Sequence, residues 1–245
     1  MFGHYNLTLV ALSYVISVLG AFTALQLAIG IPQARGGREK RNAILAAGAA
    51  MGGGAIWAMH FIAMLAYKMD IPVAYDVLTT LVSALIAIGA CSIGLAIAGL
   101  GVFSLDKLLL AGFFMGCGVA GMHYTGMAAM LMPAEVGYDL NLLIISVVIA
   151  VIASSVALWM AFRMRGSWQI FGSATIAGVA VCGMHYTGMA AARYQYTGDI
   201  PPATFLGSMG GDYLGLSIFI ISVALLMFSL LITQARRRRR ASLAI

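Results

Sequence analysis

The chain alternates between long apolar stretches and short polar connections. Seven apolar stretches are each long enough to cross about 30 Å of hydrocarbon as a helix. They cover residues 7–30, 42–66, 76–100, 107–131, 140–162, 168–192 and 213–234. Because the stretches are continuous, they predict helices, in which each backbone group bonds within its own segment. We expect an all-α membrane protein, with seven transmembrane helices in a domain over 1–235 and a basic cytoplasmic tail over 236–245.

The composition is that of a protein embedded in lipid. Hydrophobic residues make up 62% of the 245-residue chain, charged residues make up 9%, and the mean hydropathy is +0.98. These values exclude a water-soluble enzyme and a nucleic-acid-binding domain. The three cysteines lie inside apolar stretches, which argues against a disulfide framework. The lipid bilayer is therefore the first partner that the sequence predicts.

The positive charges are distributed unequally between the two sets of connections. Twelve of the 14 lysines and arginines lie on one side, including the run Arg236–Arg240, and only Lys68 and Arg193 lie on the other. Lysine and arginine accumulate on the cytoplasmic side of membrane proteins. We therefore predict an N-terminus outside the cell and a cytoplasmic C-terminus.

A short motif occurs three times, in the second, fourth and sixth apolar stretches. The copies read Met59-His60-Phe61-Ile62, Met122-His123-Tyr124-Thr125 and Met184-His185-Tyr186-Thr187, with the histidines 63 and 62 residues apart. An even number of crossings separates the copies, so the motif helices run parallel and their histidines lie at one depth. The pattern predicts three helical-hairpin repeats followed by a seventh helix.

Each motif histidine shares a helix face with a methionine four residues later and a glycine seven residues earlier. The methionines are Met64, Met127 and Met189, and the glycines, which we assign to helix packing, are Gly53, Gly116 and Gly178. If the three faces converge, three imidazoles and three thioethers meet in one layer. Imidazole suits several transition metals, and thioether sulfur favours copper, above all Cu(I). Copper is therefore the predicted ligand, and zinc bound by the three histidines is an alternative.

Other residues near the motif have supporting roles in this interpretation. The methionines that precede the histidines point about 100° away on an ideal helix, so we expect them to pack around the site. These are Met59, Met122 and Met184. Cys182 lies one turn before His185, and His4 faces the same compartment, so both are candidate accessory ligands. The alternative interpretation is that the motif histidines are polar groups hydrogen-bonded between helices.

The motif copies resemble the MHYT domain family of bacterial integral membrane sensors, and the resemblance covers nearly the whole chain. The first copy departs from the pattern, because Phe61-Ile62 replaces Tyr-Thr. The resemblance implies a multi-pass protein of the bacterial inner membrane that senses a diatomic gas (O₂, CO or NO) through copper near the periplasmic side. It also implies that His60, His123, His185 and the adjacent methionines are the metal ligands.

The resemblance further implies a cytoplasmic output. Family members often carry cyclic-di-GMP synthesis or hydrolysis domains, or a histidine kinase. The given sequence carries no such module after Arg236–Arg240. We therefore expect either a separate cytoplasmic signalling partner or a longer protein of which this chain is a part, and a homo-oligomer is compatible with both. We expect no enzymatic activity, no catalytic residues and no nucleic-acid partner.

Two other functions fit the same residues. A copper or nickel transporter would use the histidines and methionines as a waypoint, and metal uptake into vesicles would favour it. A redox protein with haem or copper would use histidines on facing helices as axial ligands, although three equivalent histidines suit a three-fold metal site better. A retinal protein is excluded, because the predicted seventh helix, 213–234, contains no lysine for a Schiff base.

Overall fold

In a computed structural model, the chain forms a helical bundle with short strands at one end. The structure describes residues 3–242, without the side chains of 225, 226, 228–230 and 232–242. The helices are α1 (Leu7–Ala28), α2 (Gly30–Gln33), α3 (Gly37–Gly48), α4 (Ala58–Ala66), α5 (Val77–Gly99), α6 (Leu105–Ala128), α7 (Leu140–Arg163), α8 (Ser167–Ala191) and α9 (Gly211–Ser242). A π-helical segment, Ala49–Trp57, joins α3 to α4.

Six helical units in the described part of the chain are long and apolar enough to cross a membrane. They are Leu7–Gln33, Gly37–Ala66, Val77–Gly99, Leu105–Ala128, Leu140–Arg163 and Ser167–Ala191. The all-helical class is confirmed, and these units coincide with the first six predicted stretches. The seventh stretch falls in α9, where Gly211–Ala224 is a shorter apolar helix, so a seventh crossing stays a prediction. The predicted basic tail, 236–245, lies outside the residues whose side chains are described.

The six units form a closed ring. Helix α5 packs against α6, α6 against α7, α7 against α8, and α8 against α1. The unit built from α3, the π-helical segment and α4 closes the ring between α1 and α5. The motif helices α4, α6 and α8 also contact one another, and the linking helices α1, α5 and α7 lie between them. Helix α9 packs against α1, α4 and the π-helical segment.

Short antiparallel strands lie at one end of the ring, which we call the strand end. The strand before each linking helix pairs with the strand after the next motif helix. The pairs are β1 (His4–Tyr5) with β2 (Tyr67–Lys68), β3 (Ala74–Asp76) with β4 (Met130–Leu131), and β5 (Ala134–Tyr138) with β6 (Ala192–Tyr196), while β7 (Ser208–Gly210) also pairs with β3. The same backbone hydrogen bond, at 2.8 Å, recurs at each junction. It joins the amides of Asn6, Asp76 and Asp139 to the carbonyls of Ala66, Ala129 and Ala191.

Each linking helix begins with a side-chain cap, provided by Asn6, Asp76 or Asp139. Asp76 differs from the other two, because it is only 3% exposed and also accepts hydrogen bonds from the amide (2.8 Å) and hydroxyl (2.6 Å) of Thr204. Burial by itself raises the pKa of this carboxyl, but the hydrogen bonds from Thr204 and Thr79 outweigh it and hold the pKa well below its usual range. Asp76 thus anchors the connection between β6 and β7 to the start of α5.

The second crossing unit is not a regular α-helix. Its residues Ala49–Trp57 are π-helical and include three consecutive glycines, 52–54. In a π-helix the hydrogen bonds run from i to i+5, which changes the angular spacing of the side chains. The α-helical stripe that we predicted from Gly53 to His60 therefore does not hold in the first copy. Close packing explains one of the glycines, because a Cβ on Gly52 would collide with the backbone of α5.

Candidate metal centre

The three motif histidines meet at the centre of the ring. His60 from α4, His123 from α6 and His185 from α8 are each 1% exposed. The Nδ1 atom of His60 lies 3.0 Å from that of His185 and 3.2 Å from that of His123. The ring centroids are 5.0 to 5.1 Å apart, with interplanar angles of 79 to 84°. The predicted convergence of three imidazoles in one layer is confirmed.

Three neutral imidazoles on their own leave ring nitrogens unsatisfied in this arrangement. The Nδ1 atoms face one another, and each Nε2 is buried without a hydrogen-bond partner among the described residues. A neutral imidazole has one N–H and one nitrogen lone pair. With all three protons on Nε2, no proton lies between the Nδ1 atom of His60 and those of His123 and His185, and the lone pairs of these atoms face one another. A bound cation would satisfy those lone pairs, so the donor set fits a metal ion.

The spacing of the nitrogens also fits a metal ion. Metal–nitrogen bonds of about 2.0–2.1 Å in a tetrahedral site hold the ligand nitrogens about 3.3 Å apart. The two Nδ1 separations, 3.0 and 3.2 Å, are only slightly shorter. Zinc, copper, iron and nickel all accept imidazole nitrogen, so the nitrogens alone do not select the metal. The same spacing disfavours haem, because a porphyrin cannot fit between nitrogens this close.

A glycine three residues after two of the histidines makes room for a neighbouring ring. A Cβ on Gly126 of α6 would collide with the Nε2 atom of His60, and one on Gly188 of α8 would collide with that of His123. Each glycine therefore receives the imidazole of the preceding copy. The first copy has Ala63 at the corresponding position. The His-x-x-Gly spacing is a signal that our sequence analysis did not use.

The tyrosines that follow two of the histidines bond to serines of the linking helices. The hydroxyl of Tyr124 lies 2.7 Å from the Oγ atom of Ser146 in α7. The hydroxyl of Tyr186 lies 3.4 Å from the Oγ atom of Ser13 in α1. Ser146 belongs to the hairpin of α7 and α8, and Ser13 to the first hairpin, which begins with α1. Each bond therefore joins one hairpin to the next around the ring.

The first copy makes the equivalent connection with a different side chain. Phe61 follows His60 and has no hydroxyl. Instead, the indole N–H of Trp57 donates to the Oγ atom of Ser83 in α5 at 3.1 Å. A serine therefore takes part in all three connections, whereas its partner is a tyrosine in two of them and a tryptophan in the first.

These contacts have a sequence signal that our motif analysis missed. At the start of each linking helix, a tyrosine precedes the capping residue and a serine follows the cap after seven residues. The sets are Tyr5-Asn6 with Ser13, Tyr75-Asp76 with Ser83, and Tyr138-Asp139 with Ser146. The tyrosine rings pack edge-on against the aromatic residue after each histidine. Burial raises the pKa of Tyr5 and of Tyr138 to about 12, so both phenols stay protonated at neutral pH.

Two of the predicted methionine ligands line a cavity between the histidines and the strand end. Met64 of α4 and Met189 of α8 are 3% and 5% exposed, and both border this cavity of about 160 Å³. Met69 and Met130, which the sequence analysis did not select, border it as well. The third predicted ligand, Met127, is buried but does not line this cavity. We call this space the methionine cavity.

The methionines that precede the histidines are all buried, and they are Met59, Met122 and Met184. Met184 borders a second cavity, of about 20 Å³, on the side of the histidine layer away from the strand end. Met51 and Met115 border it too, and its other walls are aliphatic apart from one serine. The structure therefore places methionines on both sides of the imidazoles.

The structure does not bring the predicted accessory ligands to the histidines. His4 is exposed in β1, where its strand partner is Lys68. Cys182 is half-buried and lies one turn from Tyr186, on the face toward α1. Neither residue belongs to the described group of side chains whose ligand atoms converge.

The predicted packing glycines outside the π-helical segment lie against linking helices. A Cβ on Gly116 would collide with the backbone of Val151 in α7. A Cβ on Gly178 would approach the side chain of Val18 in α1 to 2.7 Å. These glycines therefore face the linking helices and not the imidazole layer.

Comparisons with known proteins identify relatives along the whole chain. The MHYT family, described as "Bacterial signalling protein N terminal repeat", matches at residues 53–111, 116–174 and 178–245. MucR of Pseudomonas aeruginosa, named as a bifunctional diguanylate cyclase/cyclic di-GMP phosphodiesterase, is 39% identical over 98% of the chain. The cyclic di-GMP phosphodiesterase NbdA of the same organism is 37% identical over 76% of it. The signaling protein YkoW of Bacillus subtilis is 27% identical over 96%.

The matched relatives are much longer than this chain, which spans 35% of MucR, 24% of NbdA and 30% of YkoW. No solved structure matches the chain. The family match and the six apolar helices together indicate a multi-pass membrane protein with a role in signalling. The chain belongs to the MHYT family of bacterial signalling proteins.

Proposed function

We propose that the chain is a membrane sensor domain that binds copper at the imidazole layer. The ligands are His60, His123 and His185, and the thioethers assigned to the same site are those of Met64, Met127 and Met189. The observation that carries the proposal is the convergence of three buried histidines, in which the Nδ1 atom of His60 lies 3.0 Å from that of His185 and 3.2 Å from that of His123. Copper is favoured over zinc because methionines line cavities on both sides of the histidine layer and thioether sulfur is a soft ligand.

The proposal includes an orientation in the bacterial inner membrane. The connections at the strand end carry six acidic and two basic residues, whereas those at the opposite end carry seven basic and two acidic residues among those described. By the positive-inside rule, the strand end faces the periplasm. The three hairpins are then followed by α9 as a seventh crossing, with the N-terminus outside and the C-terminus in the cytoplasm.

The ligand of the sensor is a diatomic gas, O₂, CO or NO. The three imidazoles are the strong ligands, and a small molecule can take a coordination position that a weak thioether ligand would otherwise hold. Gas binding that favours one arrangement of the motif helices would shift their cytoplasmic ends. Because MucR and NbdA are named as enzymes of cyclic di-GMP turnover, we propose that a cytoplasmic module of this class receives the signal. The seven-helix domain itself has no enzymatic role, and its association into homo-oligomers is compatible with this output.

Elemental analysis of the detergent-purified chain tests the metal site. We expect His123→Ala to hold about one copper ion fewer per chain than the wild type. His4→Ala is the matched control, because His4 is exposed and lies in β1, apart from the converging histidines. Copper content unchanged in the triple His60→Ala, His123→Ala, His185→Ala variant would overturn the proposal.

Infrared detection of CO bound to the reduced protein tests the gas-binding step. We expect the signal of bound CO in the wild type and its absence in His123→Ala.

A transporter of copper or nickel is the second candidate. The observation in its favour is that Met51, Met115 and Met184 border a cavity beyond the histidine layer, opposite the methionine cavity. Soft donors on both sides of the histidines are what a pathway for Cu(I) would need. Copper accumulation in sealed vesicles that contain the chain, lost in His123→Ala, would support transport in place of sensing.

A further inference from the structure

The methionine cavity collects four thioethers from separate parts of the chain. Met64 and Met189 reach it from α4 and α8, Met69 from the connection between β2 and β3, and Met130 from β4. Its volume of about 160 Å³ is about ten times that required to hold one water molecule. Strand pairing brings two of these parts together, because the connection that contains Met69 leads into β3, and β3 pairs with β4, which contains Met130.

The cavity walls offer soft donors and no carboxylate among the described residues. Besides the methionines, the polar side chains are those of Tyr67, Tyr75 and Lys68. Tyr75 is 4% exposed, and burial raises the pKa of its phenol, so it is neutral. Lys68 borders the cavity as well, and this residue is exposed to solvent. Thioether sulfur binds Cu(I), whereas Mg²⁺ and Ca²⁺ require oxygen ligands.

The cavity lies directly beside the histidine layer. Met64 follows His60 by four residues, and Met189 follows His185 by four residues, on the same helix faces. One helical turn, about 5.4 Å, therefore separates the donors of the cavity from the imidazoles. Met69 and Met130 lie farther along the chain toward the strand end, so the four thioethers connect the histidine layer with the surface at that end.

The charges at the strand end favour the approach of a cation. Acidic residues there exceed basic ones by six to two among those described. Only one ion pair, between Arg193 and Asp139 at 3.4 Å, neutralises any of these acids among the described side chains. A surface of one net sign raises the local concentration of oppositely charged ions.

We propose that the methionine cavity is a second metal site, which takes Cu(I) from the strand-end surface and passes it to the histidine layer. Met69 and Met130 form its outer part. Met64 and Met189, which the proposed function assigns to the histidine site, are shared by the two sites and connect the cavity with His60 and His185. The ion exchanges thioether for imidazole ligands and keeps its oxidation state. The binding step stands on the cavity alone, and the transfer step rests on the proposed copper site.

The test uses the detergent-purified full chain and Cu(I) in competition with a chromogenic Cu(I) chelator. The double variant Met69→Leu, Met130→Leu removes the outer thioethers while nearly conserving side-chain volume. The control is Met132→Leu, Met160→Leu, because both methionines are buried and do not line the cavity. X-ray absorption at the copper edge then reports the number of sulfur ligands.

We expect the double variant to bind about one Cu(I) fewer per chain than the wild type and to lose the sulfur-rich component of the absorption spectrum. The control variant keeps both. Unchanged stoichiometry and sulfur coordination in the double variant would overturn the proposal, as would a wild type without sulfur-bound Cu(I). His123→Ala separates the two sites: it removes the nitrogen-bound copper, and the sulfur-bound copper remains whether or not the histidine layer is a sensor.

Discussion

The first motif copy and the other two copies reach one arrangement of imidazoles with different side chains. In the second and third copies, the tyrosine after the histidine bonds to a serine of a linking helix. In the first copy, Phe61 follows the histidine, and Trp57 makes the bond to the serine. The later copies place a glycine against a neighbouring ring, and the first has Ala63. The first copy alone, among the described helices, is reached through a π-helical segment.

This difference shows which hydrogen bond all three copies keep beside the layer of histidines. In all three copies the serine donates its own proton to a backbone carbonyl three residues earlier, at 2.7 Å. Its oxygen therefore needs a donor, and a phenol or an indole N–H can supply one. What the copies share is a buried hydrogen bond between a motif helix and the next linking helix. In this chain the motif tyrosines are structural groups that hold the helices beside the histidines.

The largest effect is expected where glycine and imidazole are in contact. In Gly126→Ala the new Cβ collides with the Nε2 atom of the buried His60 ring, and overpacking of this kind costs about 1–3 kcal/mol. We expect a lower melting temperature and loss of bound copper. The control is Gly121→Ala in the same helix, whose Cβ would meet only Ile86, at 3.9 Å. Equal copper content in both variants would show that the glycine does not position the ring.

The capping residues extend the comparison between copies. Asp76 is buried and bonded to Thr204, whereas Asp139 is more exposed and pairs only weakly with Arg193. We expect Asp76→Ala to lower the free energy of unfolding by about 1–2 kcal/mol, and Asp139→Ala to lower it by about 0.5 kcal/mol. Thermal unfolding in detergent measures both. Similar losses in the two variants would contradict a special role for the buried cap.

The effect of Asp76 also depends on pH. Folding lowers the pKa of its carboxyl, so its stabilising contribution is present above the unfolded pKa of about 4 and is lost as the pH falls below that value. The difference in melting temperature between the wild type and Asp76→Ala should therefore shrink between pH 6 and pH 3. A constant difference over this range would contradict the assignment.

The smallest effect concerns the hydrogen bonds between tyrosine and serine. Tyr124→Phe removes the donor to Ser146 and is expected to cost about 0.5–1.5 kcal/mol. Tyr186→Phe should cost less, because its bond to Ser13 is longer, at 3.4 Å. Tyr14→Phe serves as the control, since the hydroxyl of Tyr14 makes no hydrogen bond to the described residues. Equal melting temperatures for all three variants would show that the bonds contribute nothing measurable.

The helices and their positions were largely predictable. Each apolar stretch carries its own signal, because the length of a run and the polar residues at its ends fix where a helix can begin and end. The strands at the strand end were not predicted, since Tyr67–Lys68 and Met130–Leu131 are too short to show alternation. The π-helical segment was also missed, because its consecutive glycines, 52–54, give no periodic signal of their own.

The candidate site was predictable in part. Equal spacing and parallel direction placed His60, His123 and His185 at one depth, and their convergence follows if the motif helices are neighbours. On ideal helices, all methionines four residues after a histidine are equivalent. In the structure, Met64 and Met189 line one cavity and Met127 does not. The pairing of Trp57 with Ser83 was not foreseen either, because it joins segments far apart in the chain.

The sequence by itself therefore determined several features of this protein. The length of the apolar stretches predicted the helices, the unequal distribution of charge predicted an orientation, and the equal spacing of the motifs placed the histidines at one depth. Packing between distant segments established the rest, namely the facing Nδ1 atoms, the glycines beside the rings and the cavity with four thioethers. The physical reason is that helix formation depends on contacts within about four residues, whereas ligand geometry depends on ångström-scale distances between helices about 60 residues apart.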